Sequence, residues 1–203
     1  MELAPTIDGG RFRTGPDVAK PAAPGAFLDQ FTARAQFDVL TRFTNRVSPG
    51  DLVVIGNQNT EDLYNAVTVA TIQDVQATAG ASTGEHRITL AAAHTLPQGY
   101  DGGRFVVVPS AQRSVAYACV DVDTGAGKLL RITRDALSPT PSCPSAALPT
   151  AAVLATNVSR CVFSYAPNLG ATQESGFLQL QLTLSEGDES VPLTLGAHVD
   201  NVP

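Results

Sequence analysis

The residues of this chain best equipped for chemistry are three cysteines, three histidines and a few short motifs. Gly80-Ala81-Ser82-Thr83-Gly84 has the Gly-x-Ser-x-Gly spacing of a nucleophile elbow. That motif works only where a strand turns sharply into a helix and exposes the serine. Here Glu-His-Arg-Ile-Thr-Leu (85–90) follows and alternates like a strand, so a hairpin loop of small residues is expected. Asp121-x-Asp123-x-Gly125 opens like a calcium loop, but Ala126 and Ile132 stand where the glycine and the bidentate acid belong. Gly125-Ala126-Gly127-Lys128 echoes a phosphate loop, yet Val122 replaces its first glycine and Leu129 its Ser or Thr. His86, His94 and His198 are too far from one another, and from any cysteine, to form a local zinc pattern. Glu186, Asp188 and Glu189 cluster in a polar turn, where no pocket would separate their pKa values for acid–base work. The expectation is therefore no catalytic residue, no metal, no cofactor and no enzymatic activity.

Cys119, Cys143 and Cys161 form an odd set, which leaves one thiol over after any single pairing. Cys143 lies in a Pro-rich loop and Cys161 at or within a strand. A Cys143–Cys161 bridge would pin that loop to the sheet, leaving Cys119 as an ordinary buried thiol in Val-Ala-Tyr-Ala-Cys-Val. Cys119–Cys161 is the rival, and it requires two neighbouring strands.

Composition narrows the partners. The 203 residues carry 13 Lys and Arg against 19 Asp and Glu, a net charge of −6. A phosphate-binding face needs clustered cations, so nucleic acid is excluded as an expected partner. Hydrophobic residues reach 43%, too many for a disordered chain. No apolar run approaches the ~18 residues of a membrane span. Met1-Glu-Leu-Ala-Pro shows no basic region, apolar stretch or cleavage site of an export signal. Few lysines and many Thr and Ser are nonetheless those of an exported chain. The two facts agree if a membrane-targeting N-terminus has been removed.

The dominant period is two. Residues 177–184 place Leu178, Leu180, Leu182 and Leu184 on one face and Gln179, Gln181 and Thr183 on the other. A polar turn follows, then Val191, Leu193 and Leu195 alternate again, so the two runs predict an antiparallel hairpin. Pro192 has no N–H and places the second strand at a sheet edge. Further strands are expected at 36–43, 51–56, 66–75, 85–91, 104–108, 114–122, 128–134 and 158–165. Helix is scarce: the first half of 27–43 is expected as a short helix or a loop, and 146–156 as a helical turn or two broken by Pro149. Loops are expected at 15–25 and 138–149. Asp-Gly-Gly-Arg-Phe occurs at 8–12 and 101–105, and each copy predicts a tight turn at the glycines followed by a strand. The fold class is mostly β (α+β): antiparallel sheets of about ten short strands with little helix, in one domain over 1–203.

The ordered set of Glu2-Leu-Ala-Pro-Thr-Ile-Asp-Gly-Gly-Arg-Phe-Arg13, Pro49-Gly-Asp-Leu-Val-Val-Ile-Gly56, Gly103-Arg-Phe-Val-Val-Val-Pro109, Val115-Ala-Tyr-Ala-Cys119 and Asn157-Val-Ser-Arg-Cys-Val-Phe-Ser-Tyr165 resembles type IV pilin-like head domains. Gln36-Phe-Asp-Val-Leu40 and the ending Ala197-His-Val-Asp-Asn-Val-Pro203 also fit. The start of the chain, Glu2 to Arg13, is similar to the segment that follows the long N-terminal helix in MshO-like minor pilins of mannose-sensitive haemagglutinin (MSHA) pilus biogenesis. The resemblance implies a structural subunit of a pilus that acts by packing against other pilin subunits. It also implies a periplasmic head anchored in the inner membrane by an N-terminal helix missing here, and no catalytic residues. A minor pseudopilin of a type II secretion system is the runner-up, and a secreted carbohydrate-binding β-sandwich a third reading.

Overall fold

A computed structural model describes residues 1–57, 60–78, 84–100, 102–138, 151–166 and 175–200. The expected fold class holds: thirteen strands among the described residues lie in antiparallel sheets, with about 6% helix. The chain folds as two compact units.

The first unit holds Ala4–Arg113 and Arg134–Pro139. Its strands are β2 (Asp8–Arg11), β3 (Arg34–Val39), β4 (Leu52–Val54), β5 (Val69–Ala77), β6 (His86–His94) and β7 (Arg104–Val108), with one helix, α1 (Thr60–Tyr64). They form one sheet in the order β2-β7-β4-β5-β6-β3. Its two ends meet. Phe12, just past β2, bridges Val39 of β3. Arg13 N–H donates to Asp38 O at 3.0 Å and Leu40 N–H to Arg11 O at 2.8 Å. Hydrogen bonding thus runs round the whole sheet, and closure removes its edges. Side chains fill the interior: Phe12, Phe37, Val39, Val53, Ile72, Ile88, Leu90, Phe105 and Val107 form one buried cluster. Phe37 meets Phe12 and Phe105 edge-on at ring-centroid distances of 5.8 and 5.7 Å. Each such pair adds about 0.5–1.5 kcal/mol beyond the burial itself.

The two Asp-Gly-Gly-Arg-Phe copies face each other across the β2–β7 ladder, with Gly10 opposite Phe105 and Arg11 opposite Arg104. The later copy behaves as expected: Gly103 has φ 59° and Arg104 begins a strand. The earlier copy does not, because Gly9 and Gly10 lie within β2 itself. Close approach requires glycine there. A Cβ on Gly9 would sit 2.7 Å from Phe105 O, and one on Gly10 would run into the Thr41 side chain.

The second unit holds Met1–Leu3, Ser114–Thr133 and Thr140–Val202. In it β1 (Glu2–Leu3), β8 (Ser114–Val120), β9 (Lys128–Arg134) and β10 (Ala152–Ala155) form a four-stranded sheet in the order β1-β8-β9-β10. β11 (Val158–Ala166), β12 (Ser175–Glu186) and β13 (Glu189–Asp200) form a three-stranded antiparallel sheet in that order. The expected hairpin and the edge position of Pro192 are both present. Residues 27–33 contain no helix, and β10 replaces the expected helical turns in the described part of 146–156.

The pilin resemblance is corrected by this architecture. A pilin fold is α+β with a long N-terminal helix. This structure is nearly all β, and the one α-helix among the described residues, α1, spans five residues. No helix among the described residues is long and apolar enough to cross a membrane.

Candidate interaction surface

The three-stranded sheet has two chemically distinct faces, set by period-two alternation. Register places Tyr165, Phe163 and Cys161 of β11 beside Leu178, Leu180 and Leu182 of β12, and those beside Ala197, Leu195 and Leu193 of β13. Leu184 and Val191 extend the same apolar face. On the opposite face Ser185 hydroxyl lies 2.7 Å from both Ser159 and Ser190 hydroxyls, and Gln181 donates to Gln179.

The apolar face is covered unevenly. Under β11 and β12, Leu129, Val158 and Leu182 are buried together, with Cys119, Cys161, Phe163, Leu180 and Leu184 packed against them. Under β13 the cover ends. Val191 is 55% exposed, Leu193 41% and Leu195 58%. Tyr165 is also exposed and lies over Gly176, where any Cβ would meet its ring. Phe177 does the same over Gly196 on the other face, and packs edge-on against His198 at 5.2 Å. An aromatic ring laid across a glycine shields a stretch of backbone that no side chain of its own would cover.

Charge is missing from the arms of this hairpin between its turn and its far end. Between Gly176 and Ser185, and again between Ser190 and Val199, there is no Asp, Glu, Lys or Arg, in a chain that is 16% charged. The charges gather at the turn, where Glu186 and Glu189 flank Gly187 (φ 59°) and Asp188. Depletion of charge around exposed aliphatic and aromatic groups is the compositional mark of a protein–protein contact.

The disulfide expectation is corrected in the same unit. Cys119 of β8 is bonded to Cys161 of β11, with Cα atoms 6.4 Å apart. Cys161 is therefore not available to Cys143, which lies outside the described residues. The cause is packing: the cluster around Leu129 and Leu182 turns both cysteines toward the space between the two sheets. That span falls in the usual 4.4–6.8 Å range for a bridge. The bridge ties the three-stranded sheet to the four-stranded one.

The other residues with chemical potential are dispersed. Ser82 lies outside the described residues, but β5 and β6 on either side pair as an antiparallel hairpin, so the strand expected after Gly84 is there. Asp121 and Asp123 sit in a short 3-10 turn between β8 and β9. His86 stacks on Phe43 at 4.6 Å and accepts its N–H. Burial lowers the pKa of His94, whose Nε2 has no hydrogen-bond partner among the described residues. Among the described residues no three His, Cys, Asp or Glu side chains gather as a metal cluster. A cleft of about 340 Å³ lies between Ala23–Ala26 and Arg87. Its one cation is already neutralised, since Arg87 Nε and Nη2 bind Asp38 at 2.7 and 3.2 Å.

The sequence pattern marked the hairpin and its alternation, but alternation alone does not say that Val191, Leu193 and Leu195 of β13 stay exposed while Leu182 of β12 is buried. The signal that separates β13 from β12 was legible: Pro192 marks an edge, and an edge strand has less protein to pack on. No family model, curated protein or solved structure matches the chain.

Proposed function

We propose that this chain is a non-catalytic β module that works by docking its C-terminal three-stranded sheet against another protein surface. One observation carries the reading: the β12–β13 hairpin, free of Asp, Glu, Lys and Arg over 176–185 and 190–199, leaves Val191, Leu193 and Leu195 half or nearly half exposed in a row on one strand. Single exposed aliphatics are ordinary, whereas a contiguous stripe bordered by polar residues marks a contact site. The stripe runs ~14 Å from Val191 to Leu195 at the usual rise per residue. The Cys119–Cys161 bridge supports maturation in an oxidising, extracytoplasmic compartment, because such bonds are reduced in the cytosol. It also holds the sheet in place as a docking platform, which reduces the ordering cost on binding.

Photo-crosslinking in the producing cells tests the reading. A photoreactive residue at Leu193 or Leu195 should give one discrete crosslinked product of constant size. The same group at Gln181, exposed on the opposite face, should not. Equal, diffuse labelling at all three positions would defeat the proposal.

A further inference from the structure

We infer that the docking partner is a second copy of this chain, joined through the free edge of β13; this rests on the reading above that the sheet is a docking module. The argument begins at the turn. Glu186 and Glu189 close a two-residue loop, and the β12–β13 register then runs to Ser175–Asp200 without a shift. Such a loop is closed by a hydrogen-bonded pair, and bonded and non-bonded pairs alternate from there. Leu184–Val191 is therefore bonded and Thr183–Pro192 is not. It follows that Ser190, Pro192, Thr194, Gly196 and His198 turn their backbone groups away from β12, toward the open edge.

Pro192 is thus a guard at the turn end, because the N–H it lacks is one that would face outward. Beyond it nothing among the described residues guards the edge. Thr194, Gly196 and His198 are exposed, and no lysine, aspartate, glutamate or second proline blocks the strand before Asp200. A twelve-residue edge strand of this kind is a template for another strand.

Self-pairing fits this edge. An antiparallel two-fold pairing centred on Gly196 places Gly196 against itself and Thr194 against His198 of the second copy. Every outward N–H and C=O between 194 and 198 then finds a partner. On one face Leu193, Leu195 and Ala197 of both copies make a continuous apolar strip. On the other, the Phe177 rings over the two glycines come together. Each molecule carries −6 overall, but the segment that would meet its twin carries no formal charge, so self-repulsion is least there. A C2 contact of this type uses one patch twice. Strand pairing over so short a segment buries less than the ~800 Å² per partner of a stable complex, so the dimer should be weak and concentration-dependent.

Proline substitution separates edge from fold. Thr194→Pro removes an N–H that points outward and breaks no bond to β12, as Pro192 already does two residues earlier. Sedimentation of the intact chain should show monomer passing to dimer as concentration rises. Thr194→Pro should stay monomeric throughout, with an unchanged circular dichroism spectrum and melting temperature. Leu195→Asp, which sets two carboxylates close together across the axis, should raise the dissociation constant at least tenfold. A wild-type chain that stays monomeric at millimolar concentration, or a folded Thr194→Pro that dimerises as well as wild type, overturns the inference. If the wild type is monomeric yet Leu193 crosslinks to a different protein in cells, the second-copy inference fails and the docking reading stands. If no crosslink forms, both fail.

Discussion

Arg87 grips a carboxylate that has no access to water: its Nε and Nη2 lie 2.7 and 3.2 Å from the two oxygens of Asp38, whose side chain is fully buried. Asp38 lies on β3 between Phe37 and Val39, which fill the closed sheet, so alternation turns it to the outside. There the segment before β3 covers it. Ala26 N–H donates to Asp38 Oδ2 at 2.8 Å, and Arg13 Nε stands 4.0 Å away. Removing one partner of a buried pair leaves the other uncompensated, which commonly costs ~3–5 kcal/mol. Arg13 remains and Arg87 is partly exposed, so Arg87→Met should lie at the low end, about 3 kcal/mol. The double variant Asp38→Leu with Arg87→Met should recover most of that loss. Urea melts of the wild type and these two variants measure it; a double variant no better than Arg87→Met would show that the covering segment needs the charge itself.

The Cys119–Cys161 bridge closes a loop with a sequence separation of 42. Loop-closure entropy puts its contribution at about 4 kcal/mol, lowered by any strain. Cys161→Ser should destabilise the chain by that order and abolish the effect of reductant on its melt. Peptide mapping without reduction should find the Cys119 and Cys161 peptides joined and Cys143 alkylated as a free thiol. A crosslinked peptide containing Cys143 would reverse the assignment.

What could be read from the sequence and what could not divides along local and non-local lines. β7 and β9 stand at their expected bounds, because each is a short β-rich run between clear turn signals. β12 and β13 extend past theirs, since pairing recruits polar flanking residues that alternation alone does not mark. β2 was missed because two glycines argue against a strand, and only Phe105 O and Thr41 across the fold explain why they are needed. Closure of the six-stranded sheet rests on a bridge between Phe12 and Val39, which no local pattern encodes. The disulfide followed the same logic. Local context favoured the Pro-rich loop, whereas the partner was decided by two sheets packing around Leu129 and Leu182. The pilin resemblance rested on an ordered set of strand and turn fragments, each common in β proteins, and the nearly helix-free architecture does not support it.

Leu182 and Leu195 sit on the same face of one sheet and should respond differently to truncation. Leu182 is buried against Leu129 and Val158, so Leu182→Ala should cost ~2–5 kcal/mol. Leu195 is exposed, so Leu195→Ala should stay within ~0.5 kcal/mol while weakening association. Gln181→Ala on the opposite face should leave both stability and association unchanged. Denaturant midpoints paired with sedimentation decide the matter. Equal losses at Leu182 and Leu195 would mean that β13 is covered as well as β12.

Two groups predict how stability follows pH, in separate windows. Burial lowers the pKa of His94, and cross-strand Arg34, held by Asp29 at 3.1 Å, offers it no acceptor. The unfolded chain therefore binds a proton at this site more readily than the folded one, near pH 6.5. Stability from this residue is complete above that value and falls as pH drops from 6.5 toward the depressed folded value. Asp8 acts further down. Burial pushes its pKa up, but backbone N–H groups of Asn45, Gly9 and Thr44, with the Thr44 hydroxyl, outweigh burial and leave it lowered. Its contribution is complete above about 3.8, the unfolded value, and is lost as pH falls through the folded one. Melting temperature plotted against pH should thus decline in two steps on acidification. His94→Phe should flatten only the upper step and Asp8→Asn only the lower. An upper step that survives in His94→Phe would show that the buried His94 imidazole does not cause it.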